Sequence, residues 1–374
     1  MNAVMPIPLD AKRAQLATLF DGACLRGVAR LGDMKPALGD DVLLHAGPPL
    51  DGRVLSQPIR NAAIHALVYA GKHVDAAADA IDTGAVRLVP AQDHGVVTPL
   101  AQVVSSAMPV WRVGDDRHEV LAPIAESAPP ALRFGSADAV CVRHLHEQAD
   151  WAFDQLAARL AATPLAVRDW IDASLQAGDE CHARTGEANV QLQAALGDLP
   201  AAYGETIAAN ANFVLPMLMA ASAWAMQAHG GSIAAVGGNG AVFGVRFAGE
   251  RHWRTCGATA PIGTRLPGCE DVPVIGAVGD SPVIDFCGLG GQALGFVPAL
   301  SQAWGALLPA DWPERAAAVT DDIGLVCCHR IAASGRSPLV HLAMVSAARE
   351  GGLAGRGFYE PDVSLFQSAR TTVT

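Results

Sequence analysis

The chain reads as a multi-domain α/β protein: an N-terminal α/β region, a central helical segment and a C-terminal glycine-rich α/β region. Three observations carry that reading. Over residues 1–125, short apolar runs alternate with stretches of helical spacing. Residues 147–199 keep helical periodicity throughout. Beyond Gly230-Gly231, short apolar runs are separated by glycine. The boundaries this implies are 1–125, 126–230 and 231–374.

The N-terminal region begins with a weak helical signal at 10–20. Val42 to Leu44 reads as a strand running into the turn His45-Ala46-Gly47-Pro48-Pro49. Helical spacing follows at 58–82, interrupted near Gly71. A break at Gly84 precedes a strand at Val86–Val89, the loop Pro90 to Gly95 and another strand at Pro109–Val113. The Pro- and charge-rich stretch 114–146 reads as a connector. In the helical segment, Thr163-Pro164 fits an N-cap followed by proline at the first helical position. Trp170, Ile171, Ser174 and Leu175 share one face of the next helix. A long apolar helix is expected at about 205–228. The last region then offers strands at Ile233–Val236, Ala241–Phe247, Val272–Ile275, Pro282–Cys287 and Gly324–Cys328.

Composition narrows the function. A chain of 374 residues has room for two or three domains at ~100–200 residues each. With 51% hydrophobic and 17% charged residues it is globular, and with 5% aromatics its core rests on Ala, Val, Leu and Ile. A net charge of −11 argues against nucleic acid and anionic membranes as partners. The lysines are Lys12, Lys35 and Lys72, with none beyond. No Walker-type phosphate loop or late Schiff-base lysine is therefore available. An anion site in the C-terminal three-quarters has to use Arg, backbone N–H groups or a metal.

The eight cysteines are scattered without a C-x-x-C, and no basic-then-apolar leader opens the sequence. Reduced thiols in a cytoplasmic protein are the expectation. The uncharged stretch 206–228 approaches membrane-span length, but it holds Asn210, Asn212, Pro216 and Gln227 and reads as a buried helix.

Five segments have the residues for chemistry. Gly178-Asp179-Glu180-Cys181-His182-Ala183-Arg184 is the densest polar cluster, placed at a helix start. There Glu180 and Arg184 would share one face, and Asp179 would orient His182 as an acid/base. A capped helix start with an ordinary ion pair explains the same residues. Gly237-Gly238-Asn239-Gly240 is either a tight hairpin turn or a donor site for a carbonyl or anion. Gly288-Leu289-Gly290-Gly291, following the expected strand Pro282–Cys287, reads as a helix N-terminus for a phosphate or carboxylate rather than a dinucleotide fingerprint. His45 and Asp93-His94 follow strands, where α/β enzymes place ligands. Cys327-Cys328-His329 does not suit structural zinc, because neighbouring strand residues face opposite ways.

Taken in order, these segments resemble the oxamate carbamoyltransferase large-subunit family (the AllG or YlbE type). The shared motifs are His-Ala-Gly-Pro-Pro at 45–49, the Gly84 break, the loop 90–95, Ser106-Ala107-Met108-Pro109-Val110 and Gly-Asp-Glu-Cys-His at 178–182. Asn239-Gly240, Phe243-Gly244, Gly-Asp-Ser at 279–281 and Gly-Leu-Gly-Gly at 288–291 complete the set. The resemblance spans roughly 40–365. It also has departures. The loop Pro90-Ala91-Gln92-Asp93-His94 and the stretch Thr98-Pro99-Leu100-Ala101 differ from the family pattern, as does Ala183-Arg184-Thr185. The region before residue 45 is shorter than in the family, so the chain is identified as a divergent, N-terminally shortened member.

The resemblance implies carbamoyl transfer between phosphate and a small amide or ureido acid of the oxamate or oxalurate type. The rivals are an amidohydrolase or ligase on a similar compound, or a non-catalytic subunit of a multi-subunit transferase. His182, Asp179, Glu180, His94 and Asn239 are the expected catalytic residues. His45, Gly47, Asp93, Arg184, Gly238, Gly240, Asp280, Ser281, Gly288, Gly290 and Gly291 are expected to bind substrate, with Arg246 and Arg265 as further anion candidates. No metal or cofactor is expected. The expected partners are a small anionic substrate, further subunits and a second copy of the chain.

Overall fold

The computed structural model describes residues 7–52, 55–126 and 129–367. Helices and strands are mixed along the chain, and the strands form small sheets. One sheet runs in the order Glu119–Pro123, Pro109–Gly114, Cys24–Arg30 and Leu165–Ala166, all antiparallel. A second runs Val278–Gly279, Ile233–Asn239, Val242–Phe247 and Arg254–Gly257, also antiparallel. A third sets Leu353–Tyr359 between Ile262–Arg265 and Val340–Val345. Val42–His45 and Arg87–Pro90 pair in parallel, with His45 opposite Pro90 at their C-terminal ends.

The helix Leu215–Ala228 forms the centre. Every residue from Pro216 to Met226 is buried, as suits a helix that is apolar all round. It packs on the 109–114, 119–123 and 233–239 strands and on the short helix Pro282–Phe286. The core around it draws on Leu16, Trp151 and Phe366, so all three sequence segments contribute to it. A second core surrounds the helix Gln57–Tyr69 and the 42–45 strand. Among the described residues, no helix is long and apolar enough to cross a membrane.

Several local expectations change. The connector 114–146 contains the 119–123 strand and the start of the helix Val140–Trp151. Thr163-Pro164 caps nothing: it leads into the two-residue strand Leu165–Ala166, and the helix begins at Val167. The long helix is two helices, Ala201–Ala209 and Leu215–Ala228, parted where Asn210 turns its side chain to the Glu126 carbonyl. Pro282–Cys287 forms a helix because Pro282 starts it at N1 and Gly288, at φ +78°, ends it. Val272–Ile275 and Gly324–Cys328 make only single bridges, and Cys328 opens a helix. Meanwhile Cys24–Arg30, Val340–Val345 and Leu353–Tyr359 are strands that the sequence reading did not place.

Candidate active site

The polar segment 178–185 is a loop between two helices rather than a helix start. Gly178, at φ +81°, ends the helix Val167–Gln176, and the Asp179 amide closes on the Ser174 carbonyl at 2.8 Å. Cys181 takes the left-handed conformation at φ +67°, with its amide on the Arg184 carbonyl at 3.0 Å. The turn folds Glu180 back, so that its carboxylate accepts from the Ala183 amide at 2.5 Å and the Arg184 amide at 3.0 Å. Asp179 reaches the other way. One oxygen accepts from Arg184 Nε at 2.8 Å and the other from the Glu187 amide at 2.9 Å, in the first turn of the helix Gly186–Leu196. The expected pairings are thus exchanged: Arg184 belongs to Asp179, and Asp179 does not orient His182.

Asp285 orients His182, from the centre of the 282–286 helix. His182 Nδ1 lies 2.8 Å from Asp285 Oδ2. The other oxygen, Oδ1, accepts from the Gly291 amide at 2.7 Å and the His341 amide at 3.0 Å. A second dyad stands beside the first. His341, on the 340–345 strand, places Nδ1 2.8 Å from Glu180 Oε1. The ring centroids of His182 and His341 are 6.2 Å apart. Glu180, Asp285 and His341 are fully buried. Burial opposes the charged form of Glu180, but the His341 hydrogen bond and the neighbouring imidazoles win, holding the carboxyl below its ordinary range. A carboxylate only accepts, so each Nδ1 is the donor to it, and in a neutral ring that leaves Nε2 as the acceptor. His341 Nε2 is buried and has no partner.

Both imidazoles line one cavity of about 70 Å³. Ser281 joins them there, with a buried hydroxyl that has no partner. Arg133 and Arg356 supply positive charge at the lining. Arg133 is already paired, at 3.2 Å, with buried Glu126. Arg356 is exposed and makes no ion pair among the described residues. The remaining wall is largely apolar: Leu100, Phe134, Leu215, Leu342 and Leu353.

Other expected site residues form a separate knot. The two oxygens of Asp280 accept from the Gly47 amide at 2.8 Å, Gln92 Nε2 at 2.6 Å and the Thr98 amide at 2.9 Å. Burial pushes the Asp280 carboxyl up to about 7 despite those donors. Asn239 donates to the Pro48 carbonyl at 2.9 Å and accepts from the Ala241 and Val242 amides. Gly47, at φ +74°, lies so close to Gly238 and Asn239 that a Cβ would overlap them. The 237–240 segment is therefore the hairpin of the two readings offered, and the Gly240 amide is spent on the Ala277 carbonyl. The side chain of Asn239 and the carboxylate of Asp280 hold loops to each other, with no hydrogen-bonding capacity turned to a ligand.

The Gly288–Gly291 amides are not an anion cradle either. Those of Gly288, Gly290 and Gly291 close on the Asp285 carbonyl, the Glu180 carbonyl and the Asp285 carboxylate. At Gly290, φ is +51° and a Cβ would strike Asp285 Oδ1, so glycine here makes room for the dyad. His45 is buried with Nδ1 at 2.8 Å from the Ala46 carbonyl and Nε2 without a partner. Burial lowers its pKa to about 4. Asp93 sits apart, on Arg246 at 3.1 Å and on Trp253 Nε1 at 3.1 Å. His94 does not line the cavity, and Arg265 is spent on the Val272 carbonyl at 3.0 Å. Of the expected residues, His182 and Ser281 line the cavity, and Glu180 stands behind it.

Asp285, His341 and Arg356 were missed. The first two had a signal: each is a lone ionisable residue inside an apolar run, Val283 to Phe286 and Leu339 to Val345. Such a residue buries a polar group and needs a partner.

The model of the oxamate carbamoyltransferase subunit AllG family matches residues 86–281, more than half of the chain. The chain belongs to this family. That match ends at Ser281, so it takes in Glu180 and His182 but neither Asp285 nor His341. Two relatives from Escherichia coli (strain K12) are similar at 26% identity. The uncharacterized protein YahG aligns over 89% of this chain and 79% of its own length. Oxamate carbamoyltransferase subunit AllG aligns over 77% of this chain and 73% of its own. A crystal structure of a conserved protein of unknown function from Enterococcus faecalis V583 shares the fold, with a TM-score of 0.81 over 96% of both chains at 22% identity.

Proposed function

We propose that this AllG-family chain is a carbamoyltransferase subunit that brings carbamoyl phosphate and a small amide or ureido acid together in the His182–His341 cavity. One observation carries the reading. Two imidazoles, each steered by a buried carboxylate, open on a cavity that also holds the unpartnered Ser281 hydroxyl and the uncommitted Arg356 guanidinium.

In the proposed step, the acceptor nitrogen attacks the carbamoyl carbon. The N–C bond forms, the bond from carbon to the phosphate oxygen breaks, and phosphate leaves with that electron pair. The nitrogen's proton passes to His182 Nε2, and Asp285 stabilises the imidazolium through Nδ1. A positioned base of this kind contributes ~10²–10⁴ in rate. Arg356 holds an anionic group, and Ser281 donates to a developing oxyanion. Nothing covalent is asked of the protein, so orientation and fixed dipoles do the work.

The curated AllG relative is described as a subunit, and we take this chain to work with partner subunits and with further copies of itself. Its free cysteines and acidic surface suit a soluble cytoplasmic protein.

A ligand-dependent melt tests the reading. A ligand of the folded state at ~100 times its Kd stabilises by ~2.7 kcal/mol. Carbamoyl phosphate, oxamate and oxalurate are the probes, and stabilisation by carbamoyl phosphate that His182→Ala and Arg356→Gln reduce is the expected result. A folded protein indifferent to all three overturns it.

A further inference from the structure

The apolar part of the cavity lining carries a second message. Oxamate and oxalurate contain no aliphatic carbon, yet five large apolar side chains line the cavity that holds the two dyads. They come from four separate places: Leu100 from the 98–101 loop, Phe134 from the 132–134 turn, Leu215 from the start of the central helix, and Leu342 and Leu353 from adjacent strands. Leu100 is placed at a cost, because its backbone sits at φ +50°, a conformation disfavoured for any residue with a Cβ. Leu215 and Leu353 are only partly buried, so their surfaces are available to a ligand. Such a wall gains nothing from a planar, fully polar acceptor. It gains when methyl and methylene groups displace water from it.

Resting on the transferase reading, we infer that the acceptor is a carboxylic acid that bears its reacting nitrogen beside a branched aliphatic group of three or four carbons. The aliphatic group lies on the Leu100–Leu215–Leu353 wall, the carboxylate meets Arg356, and the nitrogen faces His182.

The test is a titration of the full chain with a graded set of carbamoylated amino acids: N-carbamoylglycine, -alanine, -valine, -leucine and -phenylalanine, with oxalurate alongside. The carboxylate and ureido group are constant, and only the aliphatic part grows. Each buried methylene is worth about fourfold in affinity. Dissociation constants should therefore fall on the order of a hundredfold from the glycine to the leucine derivative. Leu353→Ser and Leu215→Ser should each weaken the leucine derivative about tenfold more than the glycine one. A flat series, or oxalurate as the tightest binder, overturns the inference while leaving the transferase reading standing. Silence across the whole set and carbamoyl phosphate, in folded protein, overturns both.

Discussion

The cavity around His182 and His341 and the knot around Asp280 are built from the same materials: buried carboxylates, glycines and amides. They differ in what is left over. In the knot, the donors that Asp280 and Asn239 meet are its own loops, and both side chains are fully used. In the cavity, carboxylates are spent on imidazoles, and the far nitrogen of His341 and the Ser281 hydroxyl are left without partners. A polar cluster that satisfies itself is architecture. One that satisfies half of itself and turns the rest to an empty volume is prepared for a ligand.

Four substitutions test that contrast. The largest effect is expected at the dyad: His182→Ala should lower turnover of the assembled enzyme by ~10²–10⁴, while stability falls by no more than the ~1–3 kcal/mol that the unpartnered Asp285 oxygen costs. A comparable loss of both would make the cavity another knot.

Asp280→Asn should do the opposite. An amide placed against the Gly47, Thr98 and Gln92 donors leaves buried groups unsatisfied, at ~1–3 kcal/mol of stability. The pH dependence follows from the carboxyl being raised to about 7 in the folded state. The folded protein then holds a proton that the unfolded chain releases. That stabilisation is complete below about pH 4, the ordinary carboxylate value, and is lost as pH rises through 7. Denaturant melts at pH 4.5, 6 and 7.5 on parent and Asp280→Asn should differ by this slope, with the variant losing less stability as pH rises.

A third region serves as a control. Lys12 is fully buried with its ammonium unpartnered, and burial lowers its pKa to about 8. Below pH 8 the folded state has to bury a charge that the unfolded chain carries freely. Lys12→Met should therefore stabilise at pH 7 by on the order of 1–2 kcal/mol, with the gain fading as pH rises towards 10.5. Calorimetry at pH 7 and pH 10 checks it, and ligand binding should be untouched. The smallest effect is at the cavity mouth: Arg356→Gln should weaken anionic ligands about tenfold without moving the melting temperature, since the parent side chain makes no ion pair among the described residues.

The contrast also explains what the sequence disclosed. The motif-bearing loops were legible because glycine and turn residues mark them, and the α/β alternation was legible from apolar periodicity. Which motif touches a ligand was not, because Asn239 and Asp280 look as catalytic in one dimension as Glu180 and His182 do. Satisfaction is a three-dimensional property. The Asp179–His182 pairing failed for the same reason. Short sequence spacing favoured it, but Cys181 in the left-handed conformation reverses the chain and hands Asp179 to Arg184, while His182 finds a carboxylate 103 positions away. His341 and Asp285 each stand alone in an apolar run, a signal that a partner is needed but not of which partner.

The two dyads are also cross-tied. Asp285 accepts from the side chain of His182 and the amide of His341, while Glu180, two positions from His182, accepts from the ring of His341. Three stretches of chain, near 180, 285 and 341, have to meet before both imidazoles are oriented. On the ribosome, therefore, an emerging polypeptide can complete its central helix and its first sheet long before it owns a working proton acceptor. Any product terminated ahead of the 340–345 strand should be inert even where it folds, because it lacks one of the two imidazoles.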